Sequence, residues 1–168
     1  LAGDLAIFQS GDRVTALDSS NGQERWSMPI KNGWDYVGAD VHGDMAVIAT
    51  GVGGKRPGDF ADGRVAGVRA SNGVQRWEHE SGGGLLGAPS IYNDTVFVPW
   101  DRQKIAVLDA KKGEEICRIL ALDYTISSVD AEPSGVFFGS VPSETMPSML
   151  FRFNVKTATG RREGSTVF

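Results

Sequence analysis

The chain has 168 residues, 40% of them hydrophobic and 23% charged, a balance that suits a folded chain with a real core and excludes a disordered one. A net charge of -4 with no basic stripe excludes a nucleic-acid surface, and no apolar run approaches the roughly 20 residues that span a bilayer. The single cysteine, Cys117, excludes an internal disulfide and any multi-cysteine metal site.

The sequence opens on Leu1 without a basic region, apolar segment and cleavage site, so a secretory leader is expected to be cut off or to lie outside it. Short apolar runs punctuated by 22 glycines and 7 prolines then follow to the end, the pattern of an all-β chain with many tight turns. The first unit reads as two strands in "GDLAIFQSGDRVTALD" and a third in "QERWSMPI". The second unit supplies four, in "YVGADVHGD", "MAVIATG", "GRVAGVRA" and "VQRWEHE". The third repeats them as "GAPSIYND", "TVFVPW", "KIAVLDA" and "EEICRIL", with Asn93-Asp94 as the turn between its first two strands. The fourth is weaker, in "SSVDAEPSG", "VFFGSV", "LFRFNV" and "RREGSTVF".

The closing half of each unit is a repeat. "VTALDSSNGQERW" (14–26), "VAGVRASNGVQRW" (65–77) and "IAVLDAKKGEEIC" (105–117) align on Gly22, Gly73 and Gly113, and a fourth copy centres on Gly160. Spacings of 40 to 51 residues fall in the range of propeller blades. Asp18 and Asp109 open the turns, where a short carboxylate accepts turn amides, and the glycines supply positive φ. Four residues past the glycine stands Trp26 or Trp77, a ring large enough to cover the join between sheets. Cys117 and Gly164 occupy that slot in the third and fourth copies, so those joins are expected to be less well filled.

The fold expected is therefore an all-β propeller of four-stranded antiparallel blades. About four blades lie in this chain: residues 1–30 without the first strand, 35–80, 86–120 and 126–168. An open arc leaves edge strands and an apolar blade face uncovered, so the segment is expected to belong to a larger ring.

The pattern Ala-Leu-Asp-x-x-x-Gly-x-x-x-Trp at 16–26, echoed at 66–77 and 106–117, resembles the tryptophan-docking repeat of PQQ-like β-propellers. The resemblance covers nearly the whole chain and implies a ring of seven or eight blades. Its quinone-dependent dehydrogenase branch carries a cofactor with calcium and a neighbouring-cysteine disulfide, and this sequence has no Cys-Cys pair. It looks more like the non-enzymatic branch that includes the outer-membrane assembly lipoprotein BamB. That resemblance implies a cell-envelope module, periplasmic or outer-membrane-associated, non-catalytic, without a cofactor, and bound to protein partners in a larger complex. Alternatives are a fragment of a PQQ-dependent dehydrogenase or the ligand-sensing propeller of a signalling protein.

The residues themselves point the same way. His42 and His79 fall at unrelated positions of the repeat, where metal ligands or a catalytic pair must converge. No nucleophile-elbow motif occurs. "GVGGKRPGDFADG" (51–63) lacks the Gly-Lys-Ser/Thr of a phosphate loop, and Asp59 and Asp62 lack calcium-loop spacing, so it reads as an elongated blade loop. It shares one face with "PSETMPSM" (142–149), "WDRQ" (100–103), "NGWDY" (32–36) and "ALDYT" (121–125), and loops on a rigid scaffold are where binding residues gather. Trp34, Tyr36, Phe60, Trp100 and Tyr124, with Arg56 and Arg102, are the candidate partner-binding residues, because aromatic residues and arginine dominate interface energies. The bland alternative is that Trp100 and Tyr36 cap strand ends and cover the core.

Overall fold

The computed structural model describes residues 4–53, 60–81, 84, 87–101, 103–121, 123–142, 147–153 and 166–167. Every element among them is a strand, and the strands form four antiparallel sheets that follow one another along the chain. Blade 1 holds β1 (Leu5–Ser10), β2 (Arg13–Asp18) and β3 (Glu24–Pro29). Blade 2 holds β4 (Asp35–His42), β5 (Met45–Gly53), β6 (Phe60–Arg69) and β7 (Gln75–Ser81). Blade 3 holds β8 (Ser90–Tyr92), β9 (Thr95–Trp100), β10 (Lys104–Asp109) and β11 (Glu115–Leu120). Blade 4 holds β12 (Thr125–Glu132), β13 (Gly135–Val141), β14 (Leu150–Phe153) and β15 (Thr166–Val167). No helix long and apolar enough to cross a membrane occurs among the described residues.

Two strand boundaries differ from the sequence reading. The first strand of blade 3 is only Ser90–Tyr92, shorter than "GAPSIYND", because Pro89 has no N–H to give a ladder. The loop read at 51–63 is shorter, since Gly51 pairs with Gly63 and, past a bulge, Gly53 with Phe60. Gly160 and Gly164 of the fourth copy lie outside the described residues.

The three clear hairpins have one geometry. Gly22, Gly73 and Gly113 adopt φ of 72°, 70° and 71°, a left-handed conformation that glycine takes without a Cβ penalty. Their N–H groups donate to the carbonyls of Asp18, Arg69 and Asp109, each at 2.8 Å. Asp18 Oδ1 accepts the Ser20 N–H at 2.9 Å, and Asp109 Oδ1 accepts those of Lys111 and Lys112 at 2.8 and 2.9 Å. The opening aspartates thus do what their side chains suit them for, satisfying amides that the turn leaves unpaired.

Each hairpin is also tied to the turn before it. The carbonyls of Asp4, Asp44 and Asp94 accept the N–H groups of Ser19, Ala70 and Ala110, each at 2.9 Å. Ion pairs reinforce these joins at the surface: Arg25 bridges Asp4 at 2.8 Å and Asp18 at 2.6 Å, and Lys111 meets Asp94 at 3.0 Å. The Ser20 hydroxyl, then the Arg25 guanidinium, hold the Asp18 carboxyl well below the usual carboxylate range. A depressed folded-state pKa stabilises the fold above the unfolded value of about 3.9, and the gain is lost as pH falls through the folded-state pKa. Asp18→Asn should therefore lower stability slightly at pH 7 and converge with the parent during acid unfolding. A gap that widens toward low pH would contradict this.

The middle strands of blades 2 and 3 are apolar almost throughout, so these two sheets bury both faces, one toward each neighbouring blade. Ala46, Ile48 and Val68 pack with Leu5, Val14 and Trp26 of blade 1. Val47, Ala49 and Val65 pack on the other side with Val96, Val98 and Leu108 of blade 3. Phe97, Ile105 and Val107 then meet Val136, Phe138 and Phe151 of blade 4.

Candidate functional site

The seams between blades account for the repeat motif. Trp26 and Trp77 are buried, and their Nε1–H groups donate to the carbonyls of Ala70 and Ala110 of the following blade, each at 2.7 Å. A Cβ on Gly73 would lie 2.8 Å from the Trp26 ring, and one on Gly113 would lie 2.5 Å from the Trp77 ring. Each indole therefore sits flat against the turn glycine of the next hairpin, and that glycine is required twice, for its φ and for its missing side chain. Gly67, on the strand beside Trp77, clears the other side of that ring. Cys117 takes the equivalent position at the end of blade 3 and is exposed. Burial of part of its side chain and the Glu115 carboxylate push its thiol pKa up, away from the thiolate form that reacts at neutral pH.

At the other end of the strands lie the links between blades and the loops of each blade. The β9–β10 turn meets the β7–β8 link through the Asp101 N–H, which donates to Gly84 O at 2.8 Å. Two of the links begin with the same tight turn: the Trp34 N–H reaches Lys31 O at 2.9 Å, and the Tyr124 N–H reaches Ala121 O at 3.0 Å. Trp34 and Tyr124 consequently stand at matching positions, each one residue before an inner strand.

The structure places the candidate residues in three ways. Trp34 is buried in the core between blades 1 and 2, with the Lys31 ammonium 4.7 Å from its ring centroid. Trp100 is buried between blades 2 and 3, edge-on to His79 at 5.5 Å, and its Nε1 has no hydrogen-bond partner among the described residues. Tyr36 and Tyr124 are half-buried. The Tyr36 N–H is held by Gln9 Oε1 at 3.0 Å, and burial pushes its phenol pKa up. The Tyr124 ring packs edge-on against Phe151 at 4.9 Å. Arg56 and Arg102 lie outside the described residues, and of Phe60 only the backbone is described, at the start of β6.

His42 is exposed beside Tyr92 on the inner strands, whereas His79 lies on the outer strand β7. Among the described residues no group of three or more His, Cys, Asp or Glu side chains could hold a metal ion.

Sequence reasoning missed the polar contacts of the inner strands. Asp40 Oδ2 accepts the Ile91 N–H of the next blade at 2.9 Å, and Ser90 Oγ accepts the Ala131 N–H of the blade after at 3.0 Å. It also missed Gly38 and Gly87, where a Cβ would meet Ala88 Cβ at 2.4 Å and Ser127 O at 2.1 Å. The available signal was positional, since Asp40, Ser90 and Asp130 share one place in their blades. The inner strands are too dissimilar in sequence to align without the hairpins as a guide.

Comparison with known proteins agrees with this geometry. The chain is similar over 90% of its length to BamB from Moraxella catarrhalis, with 17% identity, a TM-score of 0.58 and 46% of that protein covered. It is similar to the computationally designed Ika8 protein with a TM-score of 0.69 and 12% identity, covering 92% of this chain and 44% of that one. A europium-containing methanol dehydrogenase matches 72% of this chain with 24% of its own, at 18% identity and a TM-score of 0.54. At such identities these likenesses speak for the fold alone, and the chain spans less than half the length of each of the three. No curated protein sequence matches it. The family model of the outer membrane protein assembly factor BamB matches residues 10–118, which include all three clear hairpins. With more than half of the chain matched and two indoles docked on the turn glycines of the following blades, this chain belongs to the BamB family of PQQ-like repeat propellers.

Proposed function

We propose that the chain is a non-catalytic protein-binding or scaffold module of a bacterial cell-envelope assembly, outer-membrane-associated or periplasmic, and that it binds its partner through the loop-bearing face. The observation that carries this reading is the division of labour between the two ends of the strands. The motif residues at one end are consumed in holding blades together, as the Trp26 and Trp77 indoles are. The opposite end collects the links and loops of every blade and leaves Tyr36 and Tyr124 half-exposed on rigid strand starts. Half-buried aromatic rings of this kind suit interface anchors. Within this reading Trp34 and Trp100 support the face from beneath, and Arg56, Phe60 and Arg102 belong to its contact surface. Membership of the BamB family supplies the expectation of a protein partner in the envelope.

The test is to replace Lys55 to Asp62 by a two-residue turn, and separately to make Tyr36→Ala with Tyr124→Ala, and to measure recovery of the native envelope complex. Loss of a stoichiometric partner with unchanged circular dichroism is the expected result. Undiminished recovery from both variants would remove this face from the function. The resemblance of the repeat at 16–26, 66–77 and 106–117 to that of quinone-dependent dehydrogenases leaves a second reading, a module of a quinone enzyme. Dye reduction by the purified protein supplied with PQQ and calcium would establish that reading and displace the first.

A further inference from the structure

The dipeptide Asn-Gly occurs three times, at 21–22, 32–33 and 72–73, each time in a surface turn. At such a dipeptide a side-chain amide is open to attack by its own backbone, because the glycine that supplies the nitrogen has no side chain to hinder the approach. By residue type the three are equivalent, and geometry separates them.

In the two hairpins both reacting groups are held. The Gly22 and Gly73 N–H groups donate to Asp18 O and Arg69 O, each at 2.8 Å. The side-chain oxygens of Asn21 and Asn72 accept the N–H groups of Gln23 and Val74 at 2.8 and 3.1 Å. The third copy stands in the link from β3 to β4, where the Trp34 N–H closes the turn on Lys31 O at 2.9 Å. That bond uses neither reacting group. Among the described residues the Gly33 N–H and the Asn32 side chain have no hydrogen-bond partner, and both residues are exposed. Gly33 has a φ of 79°, and nothing lies within 4 Å of where its Cβ would stand, so no neighbour blocks the turn of its nitrogen toward the amide.

We propose that Asn32 is a site of spontaneous covalent modification, and that Asn21 and Asn72 are spared by their hairpins. The Gly33 nitrogen bonds to the Asn32 Cγ and passes its proton to the side-chain nitrogen, which leaves as ammonia, and a cyclic succinimide remains. Water then adds to either imide carbonyl and opens the ring, to aspartate or to isoaspartate. Water is the co-reactant, and nothing is oxidised or reduced. Both products place a carboxylate beside Lys31, whose ammonium lies 4.7 Å from the Trp34 ring centroid. Isoaspartate also lengthens the main chain by one carbon, within the turn that seats Trp34 in the core between blades 1 and 2.

The experiment ages the purified folded protein in mildly alkaline buffer and follows all three sites by peptide mass spectrometry. An isoaspartyl methyltransferase with labelled S-adenosylmethionine counts the isoaspartate. Asn32 should convert at least about tenfold faster than Asn21 or Asn72, since each hairpin must first open two hydrogen bonds worth about fivefold apiece. In urea the three rates should converge, because only the shared dipeptide is left. Equal rates in the folded protein would overturn the assignment, and so would the same ranking in urea, which would trace it to flanking sequence. Asn32→Gln, whose longer side chain closes a ring far more slowly, should remove most of the methyl acceptance; acceptance that persists would place the reaction elsewhere. Aged protein should unfold at lower urea than Asn32→Asp, which gains the charge without the extra backbone carbon. Equal midpoints would overturn the effect on the Trp34 turn.

Discussion

Trp77→Ala should lower the unfolding free energy by about 3–5 kcal/mol, the range for deleting a buried large aromatic side chain. The indole lies between Gly67 of its own blade and Gly113 of the next, and it also donates to Ala110 O at 2.7 Å. Its loss removes apolar burial from the core shared by blades 2 and 3 and leaves that carbonyl without its donor. Neither term is available to a surface residue, so Val74→Ala on an exposed turn position is the matching control. Urea unfolding followed by far-UV circular dichroism measures both. Trp77→Phe should recover much of the packing and none of the hydrogen bond, which separates the two contributions. A Trp77→Ala loss below about 1 kcal/mol, the typical worth of one hydrogen bond, would mean that the ring does not hold the seam.

Gly113→Ala should destabilise by roughly 2–4 kcal/mol, combining a left-handed backbone penalty of about 1–2 kcal/mol with the cost of overpacking. The φ of 71° is one obstacle, and a Cβ 2.5 Å from the Trp77 ring is the other. Gly22 isolates the first of these, because its φ is 72° and a Cβ there meets nothing within 4 Å. Gly22→Ala should therefore cost only the backbone penalty, and the difference between the two variants reports the docking contact. In a Trp77→Ala background that difference should shrink, since residues in contact couple. Equal losses for Gly22→Ala and Gly113→Ala in the parent would show that the glycine serves the turn alone.

These two expectations rest on different depths of legibility. The hairpin was readable because its determinants are local: an aspartate, a glycine and a tryptophan at fixed offsets specify a turn and a ring without reference to the rest of the chain. The seam partner of the ring was legible only in outline. That Trp26 meets Ala70 and Gly73, and Trp77 meets Ala110 and Gly113, depends on how one sheet sits against the next. The candidate site divides in the same way. Residue type nominated Trp34, Tyr36, Trp100 and Tyr124 together, but burial separates them, since a ring at the end of a strand packs inward or outward according to the neighbouring blade.

By itself the sequence determined the all-β class, the four units and the resemblance to PQQ-like propellers. Strand alternation and turn chemistry act within about ten residues, and a repeat multiplies that local signal until it is unmistakable. Only the tertiary structure decided which residues face which seam. The inner strands of blades 2 and 3 share too little sequence to show that Asp40 and Ser90 do one job, taking an amide from 51 and 41 residues further along. A hydrogen bond between blades is set by the packing of sheets, and sheet packing is a sum over many apolar contacts that no short stretch of sequence contains.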